Sequence, residues 1–380
     1  MRFVILNHGY EQFLTWLYDS TPGLAQQPFA RQQAAYYSSL FGASDFYAHG
    51  LRSLGQEVYE FDCANTFAQS AWRCEHQVPP LTRAGALLQT LLQSAKLKSL
   101  PQWANRVMGA GPPPFKLLLD QVRSVRPDVL YNQSVYAFDD GQLQALKSHA
   151  GKLVGEHAAM PLPDSIDYRL YDLIVSSFPP TIEWLRRRGG HAELNQLAFD
   201  PRVASMVPST TRDIRVSFVG SFFKIHTSRL ELLQRVTKAV PDITIHGDVA
   251  IDVPPELNGK IGSALWGRDM YALLRRSMIT LNHHGNVLPY ANNMRLYEAT
   301  GMGCLLLTDY KDNLREMFEP EKEVVTYRDA EECVDKIRFY LDDQNRSSRE
   351  AIMAAGQRRT LREHTYEARM KRLLELIRSA

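Results

Sequence analysis

The residues that could do chemistry in this sequence sit beside glycines, at the ends of short apolar runs. Glu298 is the one acid in the segment Met294 to Thr300, three residues before Gly301. A carboxylate there can accept two hydroxyl hydrogen bonds at once, which is what a ribose presents and what neutral side chains match poorly. Taken alone, the same glutamate better suits a solvated helix face. Thr308 and Asp309 follow the apolar run Cys304 to Leu307, at the strand end where open α/β sheets bind ligands.

Upstream, VSFVGSFFKIHTSRLELL (216–233) reads as strand, glycine turn and helix. Backbone N–H groups of Gly220 and Ser221, with the positive end of the following helix, suit a diphosphate. Lys224, His226 and Arg229 add positive charge, and a guanidinium can grip phosphate oxygens in pairs. His283, His284, Gly285 and Asn286 end another apolar run. Adjacent side chains on extended backbone point to opposite faces, so the two histidines do not readily share a metal ion. The segment reads instead as a loop for phosphates or a sugar, with Asn293 and Arg295 supplying an amide and a cation nearby. His246, Gly247 and Asp248, and the later Trp266 to Arg268, are candidates to border a base.

In the N-terminal half, polar residues again follow apolar runs: His8 and Gly9, Asn132 and Gln133, Glu156 and His157. Glu156 or His157 suits a general base, since burial can tune either towards neutral pH. His157 equally suits a hydrogen-bonded residue holding a loop. The pairs Asp139-Asp140 and Asp342-Asp343 read as helix caps or solvated faces, not as a metal-binding acid pair.

These residues need elements to hold them. Strands are expected at Arg2 to Asn7, Val58 to Asp62, Asp128 to Tyr131, Lys152 to Gly155, Leu173 to Ser176 and Ala192 to Leu197. A second series runs Ile214 to Val219, Ile243 to Gly247, Met278 to Leu281 and Cys304 to Leu307. Helices between them are expected at Phe29 to Leu40, Asp45 to Leu54, Phe115 to Val125, Ser228 to Val240 and Asp269 to Arg276. Three more close the chain at Ala330 to Leu341, Ser348 to Arg362 and Thr365 to Ser379. Tyr10 to Gln27 reads as irregular, and Leu81 to Met108 as an amphipathic helix that packs into its own core. Glycines at 301 and 303 read as the C-cap of the Glu298 helix. Strand and helix alternating in this way specify doubly wound α/β units, and the proline-rich stretch Asp200 to Asp213 is the best boundary between two of them.

NMRLYEATGMGCLLLTD (293–309) resembles the donor-site motif of the glycosyl transferases group 1 superfamily, in the branch related to CgeB-type spore-maturation proteins. The likeness continues through YRDAEECVDKIRFYLDD (327–343) and the tail from Arg349 to Ile377, covering roughly the C-terminal half. It implies a GT-B fold, two Rossmann-like doubly wound domains facing a cleft: 1–205 on the acceptor side, 206–362 for the nucleotide sugar, and 363–380 crossing back. It implies that Glu298 binds the ribose of a UDP-, GDP- or dTDP-sugar, and that the Gly220 turn faces the donor phosphates. It also implies transfer to an unknown hydroxyl acceptor, retaining and without a metal or other cofactor. Glu156, His157, Arg229 and Arg295 would serve the chemistry. Gly220, Ser221, His226, His284, Gly285, Asn293, Glu298, Thr308 and Asp309 would hold the donor, with His8, Gly9 and Asn132 on the acceptor side. Relatives carry a second acid seven positions before the glutamate, where this chain has Ala291. The alternative is a sensor or scaffold that binds nucleotide sugars without turnover.

Composition bounds the rest. At 380 residues, 44% hydrophobic and 23% charged, the chain suits two ordinary globular domains. A net charge of +2 is too mild to imply nucleic acid. No run approaches the ~20 apolar residues of a membrane span, and no signal peptide is visible. The four cysteines lack metal-ligand spacing and read as reduced thiols. A cytoplasmic protein is expected, with weak contact at the inner face of the membrane left open. An oxidoreductase is disfavoured, because LNHGYEQ stands where GxGxxG would follow the first strand.

Overall fold

The computed structural model describes residues 1–42, 44–78, 115–208, 210–223, 227–285 and 289–380. It divides into unit 1, Met1–Asn195 with Met370–Ala380, and unit 2, Gln196–Arg369.

Unit 1 is built on strands β1 (Arg2–Asn7), β2 (Glu57–Asp62), β3 (Val129–Asn132), β4 (Lys152–Glu156), β5 (Leu173–Ser176) and β6 (Ala192–Leu194). They form one sheet in the order β2-β1-β3-β4-β5-β6, parallel throughout. Helices α1 (Glu11–Ser20), α2 (Phe29–Ser38), α3 (Phe46–Ser53), α4 (Thr66–Glu75), α5 (Phe115–Val125), α6 (Asp140–Lys147) and α7 (Pro179–Arg187) flank it. Sheets covered on both faces need apolar runs instead of alternation, and β1, β3 and β5 supply them. Val4, Leu6, Leu130, Leu153 and Ile174 pack with Leu117, Leu118 and Val122 of α5. Each such buried side chain contributes about 1.5–3 kcal/mol.

Unit 2 repeats the plan with β7 (Ile214–Val219), β8 (Thr244–His246), β9 (Ile261–Gly262), β10 (Ser277–Asn282), β11 (Leu305–Asp309) and β12 (Val325–Tyr327). Their order is β12-β11-β10-β7-β8-β9, again all parallel. Its helices are α8 (Pro201–Met206), α9 (Thr227–Ala239), α10 (Arg268–Arg276), α11 (Arg295–Gly301), α12 (Ala330–Leu341) and α13 (Arg346–Glu363). The last helix, α14 (Tyr366–Ser379), starts in unit 2 and belongs to unit 1 from Met370 onwards. Leu230, Leu233 and Val236 of α9 and Cys333 and Ile337 of α12 pack on Val216, Phe218, Ile279, Leu281 and Leu307.

One half-buried cation ties two helix ends of unit 2 together. Arg212 Nη1 donates to the carbonyls of Ser277 at 2.7 Å and Arg275 at 2.9 Å, at the end of α10. Its Nη2 donates to those of Met302 and Gly303, just past α11. The last carbonyls of a helix lack intrahelical partners, and a cation suits them.

The structure corrects several expectations. Tyr10 to Gln27 is not irregular. It contains α1, whose Phe13, Leu14 and Leu17 form a buried helical stripe. Gly301 is not a cap but the last helical residue of α11. A Cβ there would lie 2.5 Å from the Phe199 ring, so the glycine serves close packing. Gly303 alone takes the left-handed conformation, at φ +68°. The short strands β9 and β12 were not expected, nor were α4 and α7. Asp139 does cap α6, in a reciprocal box with Gln142. Leu81 to Met108 lies outside the described residues.

Candidate functional site

In a parallel sheet every strand delivers its carboxyl end to the same edge, so the residues that follow the strands are gathered without being near in sequence. In unit 2 that edge carries Val219-Gly220, Asn282 to Gly285 and Thr308-Asp309, with α11 rising beside them.

Glu298 is not a solvated helix residue. It is 7% exposed, and its Oε2 pairs with Arg295 Nη1 at 2.8 Å, one helical turn away. Among the described residues its Oε1 has only the Tyr271 hydroxyl at 3.5 Å, leaving lone pairs to offer. Burial raises the Glu298 pKa, and the Arg295 charge opposes that rise. Arg295 is itself braced: Nη1 also meets Met270 Sδ, and Nη2 donates to the Val219 carbonyl at 3.2 Å.

Arg229 is placed differently from its expected role. Nη1 donates to the Ser221 carbonyl at 2.6 Å and Nη2 to the His283 carbonyl at 2.8 Å. The guanidinium therefore clamps the β7 and β10 loops together. Burial brings its pKa down to about 10, still far above neutrality. The Gly220 N–H is likewise spent, on the His246 carbonyl at 3.1 Å, so it does not form half of an open N–H cradle. His226, with Lys224 and Asn286, lies outside the described residues.

His284 and Asp309 form a dyad. Asp309 Oδ1 accepts from both the His284 ring at 2.6 Å and the His284 backbone N–H at 3.1 Å, and Lys311 Nζ lies 3.3 Å from Oδ2. Burial alone would raise the Asp309 pKa. The His284 hydrogen bond and the charges of His284, His283 and Lys311 overcome it and hold the carboxyl well below its usual range. Thr308 Oγ1 accepts from Asn282, whose own carbonyl oxygen accepts from Asn293 Nδ2 at 2.8 Å. Gly285 takes a positive φ and donates its N–H to His283 Nδ1 at 2.9 Å.

Four atoms of this cluster are buried without a hydrogen-bond partner among the described residues: Arg229 Nε, Arg295 Nε, His284 Nε2 and Asn293 Oδ1. Orphaned polar atoms cost about 1–3 kcal/mol each, so their convergence at one strand edge marks a place built for a ligand. Ala291 is buried, and the Asn313 amide holds both its N–H and its carbonyl. His246 is engaged with the Ser263 carbonyl, and a Cβ at Gly247 would lie 2.1 Å from the Gly220 oxygen, so that corner is filled.

In unit 1 the carboxyl edge is arranged otherwise. Glu156 accepts from the hydroxyls of Tyr47, at 2.8 Å, and Tyr131. Both oxygens are thereby occupied, and burial raises its pKa. His157 follows β4 with its backbone N–H on the Val175 carbonyl and its Nε2 buried without a partner among the described residues. Burial lowers its pKa to about 4 against a hydrogen bond to the Ala159 backbone. A hydrogen bond that raises a histidine pKa is one the ring donates. The ring is thus neutral with a lone pair on Nε2. His8 Nε2 meets Asn132 Oδ1 at 3.1 Å, and Asn132 Nδ2 donates to the Ser134 carbonyl and the Tyr171 hydroxyl. The Gly9 N–H donates to Asp62 Oδ1 at 3.2 Å.

Asp62 was not singled out from the sequence, nor were Lys311, Ser177, Asn195 or Tyr271. Asp62, Ser177 and Asn195 do obey the rule that apolar runs end in polar residues, which is the one signal that could have found them. Among the described residues no group of three or more histidines, cysteines or acids could hold a metal ion, and no helix is long and apolar enough to cross a membrane.

Comparison with known proteins bears on both units. The family model for glycosyl transferase-like proteins matches residues 229–375, and no curated protein matches the chain. Among solved structures, the chain is similar along its whole length to Anabaena HepE in complex with UDP and glucose, at 10% identity and a TM-score of 0.59, covering all of that chain. It is similar to sucrose-phosphate synthase from Thermosynechococcus elongatus at 11% identity and a TM-score of 0.56, covering 98% of that chain. A third likeness is to AviGT4, a glycosyltransferase involved in avilamycin A biosynthesis, at 13% identity and a TM-score of 0.55, covering 97%. At these identities the likeness establishes the fold. The family model for glycosyl transferase-like proteins thus matches residues 229–375, and the chain has the GT-B fold of two Rossmann-like units.

Proposed function

We propose that this glycosyl transferase-like protein moves a sugar from a nucleoside-diphosphate donor to a hydroxyl acceptor. The observation that carries the proposal is the pair of orphaned donors, Arg229 Nε and Arg295 Nε, beside Glu298 and the open Nε2 of His284 on the carboxyl edge of unit 2. N–H donors of this kind suit a diphosphate, and the open Oε1 of Glu298 suits ribose hydroxyls. HepE has been seen with UDP and with UDP-glucose, which makes uridine donors the first to test, before GDP- and dTDP-sugars.

In this reading Arg295 and Lys311 stabilise the leaving diphosphate as preorganised charge, and Arg229 holds together the two loops beside them. We propose transfer with retention and without a metal, the cations of the chain standing where a metal would. His157, neutral and with Nε2 open, is the group of unit 1 suited to accept an acceptor proton if the reaction inverts. Glu156, closed by two tyrosines, orients its surroundings.

A second reading, a sensor that binds nucleotide sugars without turnover, is favoured by one observation: Ala291 leaves no acid where relatives of the motif carry one. Incubation with UDP-, GDP- and dTDP-sugars decides between the two. Slow donor hydrolysis, unchanged by EDTA, supports the enzyme. Saturable binding without hydrolysis or transfer supports the sensor. Glu298→Ala should weaken nucleotide binding by about 1–3 kcal/mol, and unchanged affinity in a folded variant removes Glu298 from the site.

A further inference from the structure

The carboxyl edge of the unit 1 sheet has orphaned polar atoms of its own, and their chemistry differs from that of unit 2. His157 Nε2, Ser177 Oγ and Asn195 Oδ1 are buried without partners among the described residues, as is Asp62 Oδ2. The first three follow the neighbouring strands β4, β5 and β6. The His157 N–H bonds the Val175 carbonyl and the Asn195 N–H bonds the Ser176 carbonyl, which places them side by side. Asp62 ends β2, three strands from β4 in the sheet order, or about 14 Å at the usual strand spacing.

Three of these four atoms can only accept a hydrogen bond: a carboxylate oxygen, an amide oxygen and the lone pair of a neutral imidazole. The fourth, a hydroxyl, can do either. A phosphate or carboxylate ligand, rich in acceptors, would leave them unpaired. A ligand rich in hydroxyls would pair them all. Glu60, Asp62 and Glu156 have no ion-pair partner among the described residues, and burial raises the pKa of each, so this edge is not made for an anion. Tyr136, 47% exposed, stands edge-on to the His157 ring at 5.2 Å and offers an apolar face at the same place. Aromatic faces beside hydrogen-bond acceptors suit the C–H faces and hydroxyls of a sugar ring.

Gly9 keeps the approach to Asp62 open. A Cβ on Gly9 would stand 2.6 Å from Asp62 Oδ2. Asp62 Oδ1 is meanwhile fixed by the N–H groups of Gly9, Ala64 and Asn65, which aims the second oxygen.

We infer that this edge of unit 1 binds a neutral oligosaccharide, with Asp62, His157, Ser177 and Asn195 accepting its hydroxyls and Tyr136 stacking on a ring. The distance from Asp62 to His157 exceeds one pyranose, so the ligand has at least two sugar residues. That this saccharide is the acceptor rests on the transferase reading above; that it binds does not.

The experiment is a titration of the full chain with an array of short neutral oligosaccharides, and in parallel with UDP. Saturable binding that tightens with saccharide length is expected. Asp62→Asn keeps the Oδ1 acceptor for the three N–H groups but turns the second oxygen into a donor. It should weaken saccharide binding at least tenfold, with UDP affinity unchanged and no fall in melting temperature. Tyr136→Ala and Gly9→Ala should each weaken it several-fold. The proposal is overturned if no saccharide saturates, if all three variants bind as the parent does, or if anionic phospholipid vesicles or serine-containing peptides bind instead. Failure of UDP to bind while saccharides do would sink the donor reading and leave this one standing.

Discussion

The two sheets share a plan and differ in how their carboxyl edges handle charge. In unit 2 each buried acid has a cation: Glu298 has Arg295, and Asp309 has His284 and Lys311. In unit 1 the acids Glu60, Asp62 and Glu156 are held by hydroxyls, amides and backbone N–H groups. Neutral partners offset burial only in part, so all three pKa values rise. In unit 2 Glu298 also rises, against the opposing Arg295 charge, whereas Asp309, with more than one cationic neighbour, is driven down. The same fold thus offers one edge suited to anions and one suited to hydroxyls, and the choice is made by which side chains follow the strands.

The sharpest way to break that contrast is to remove its central cation. Arg229→Met leaves the Ser221 and His283 carbonyls without their donors. It should lower unfolding stability by about 3 kcal/mol, the scale of charge-assisted hydrogen bonds to buried groups, and weaken UDP binding. A denaturant midpoint unmoved by the change would show that the clamp is dispensable.

Glu60 tests the other edge, with an effect of similar size. Its folded pKa is about 7 against an ordinary 4.5, so between those values the folded state holds a proton that the unfolded chain has released. Stability from this group is present at low pH and is lost as pH rises from about 4.5 to 7, by about 3 kcal/mol. Glu60→Gln should flatten that fall, and urea titrations at pH 5 and pH 8 would show it. An unchanged slope would mean that Tyr37 and Asn7 compensate burial fully.

Asp309→Asn sharpens the comparison on a smaller scale. It removes the charged acceptor of the His284 ring and should weaken UDP binding about tenfold, or ~1.4 kcal/mol, as isothermal calorimetry would measure. Binding equal to the parent would take the dyad out of the donor site. The smallest effect is expected at Glu156→Gln. The amide can keep only one tyrosine hydroxyl as a simple acceptor, so a loss of about 1 kcal/mol of stability is expected, with UDP affinity untouched. A change in UDP affinity would mean that the two edges are not chemically separate.

The fold was legible in the sequence where strands are buried on both faces. Arg2–Asn7, Leu173–Ser176 and Ile214–Val219 match their expected bounds, because an apolar run bounded by polar residues has few other homes. Ile261–Gly262 and Val325–Tyr327 are too short to show any period. Helix α1 is only ten residues long, with three buried apolar residues, Phe13, Leu14 and Leu17, which makes a weak helical period.

The site was half legible for a related reason. A polar residue after an apolar run can be read from the chain, as Glu156, His157, Asp309 and His284 were. What occupies that residue cannot, because its partner is distant in sequence. The Tyr47 hydroxyl that closes Glu156 lies 109 residues away, and the His283 carbonyl that holds Arg229 lies 54 away. Gly220 looked like an open turn for the same reason, since the His246 carbonyl that takes its N–H comes from the adjacent strand.

Arg212 carries a mechanical consequence. With its two terminal nitrogens divided between the end of α10 and the end of α11, it works like a shared hinge pin. Glu298 and Arg295 ride on one of those helices and Tyr271 on the other. Neither rod can slide along its axis without pulling its neighbour, so any adjustment around Glu298 has to be made by both together or by rotating side chains alone.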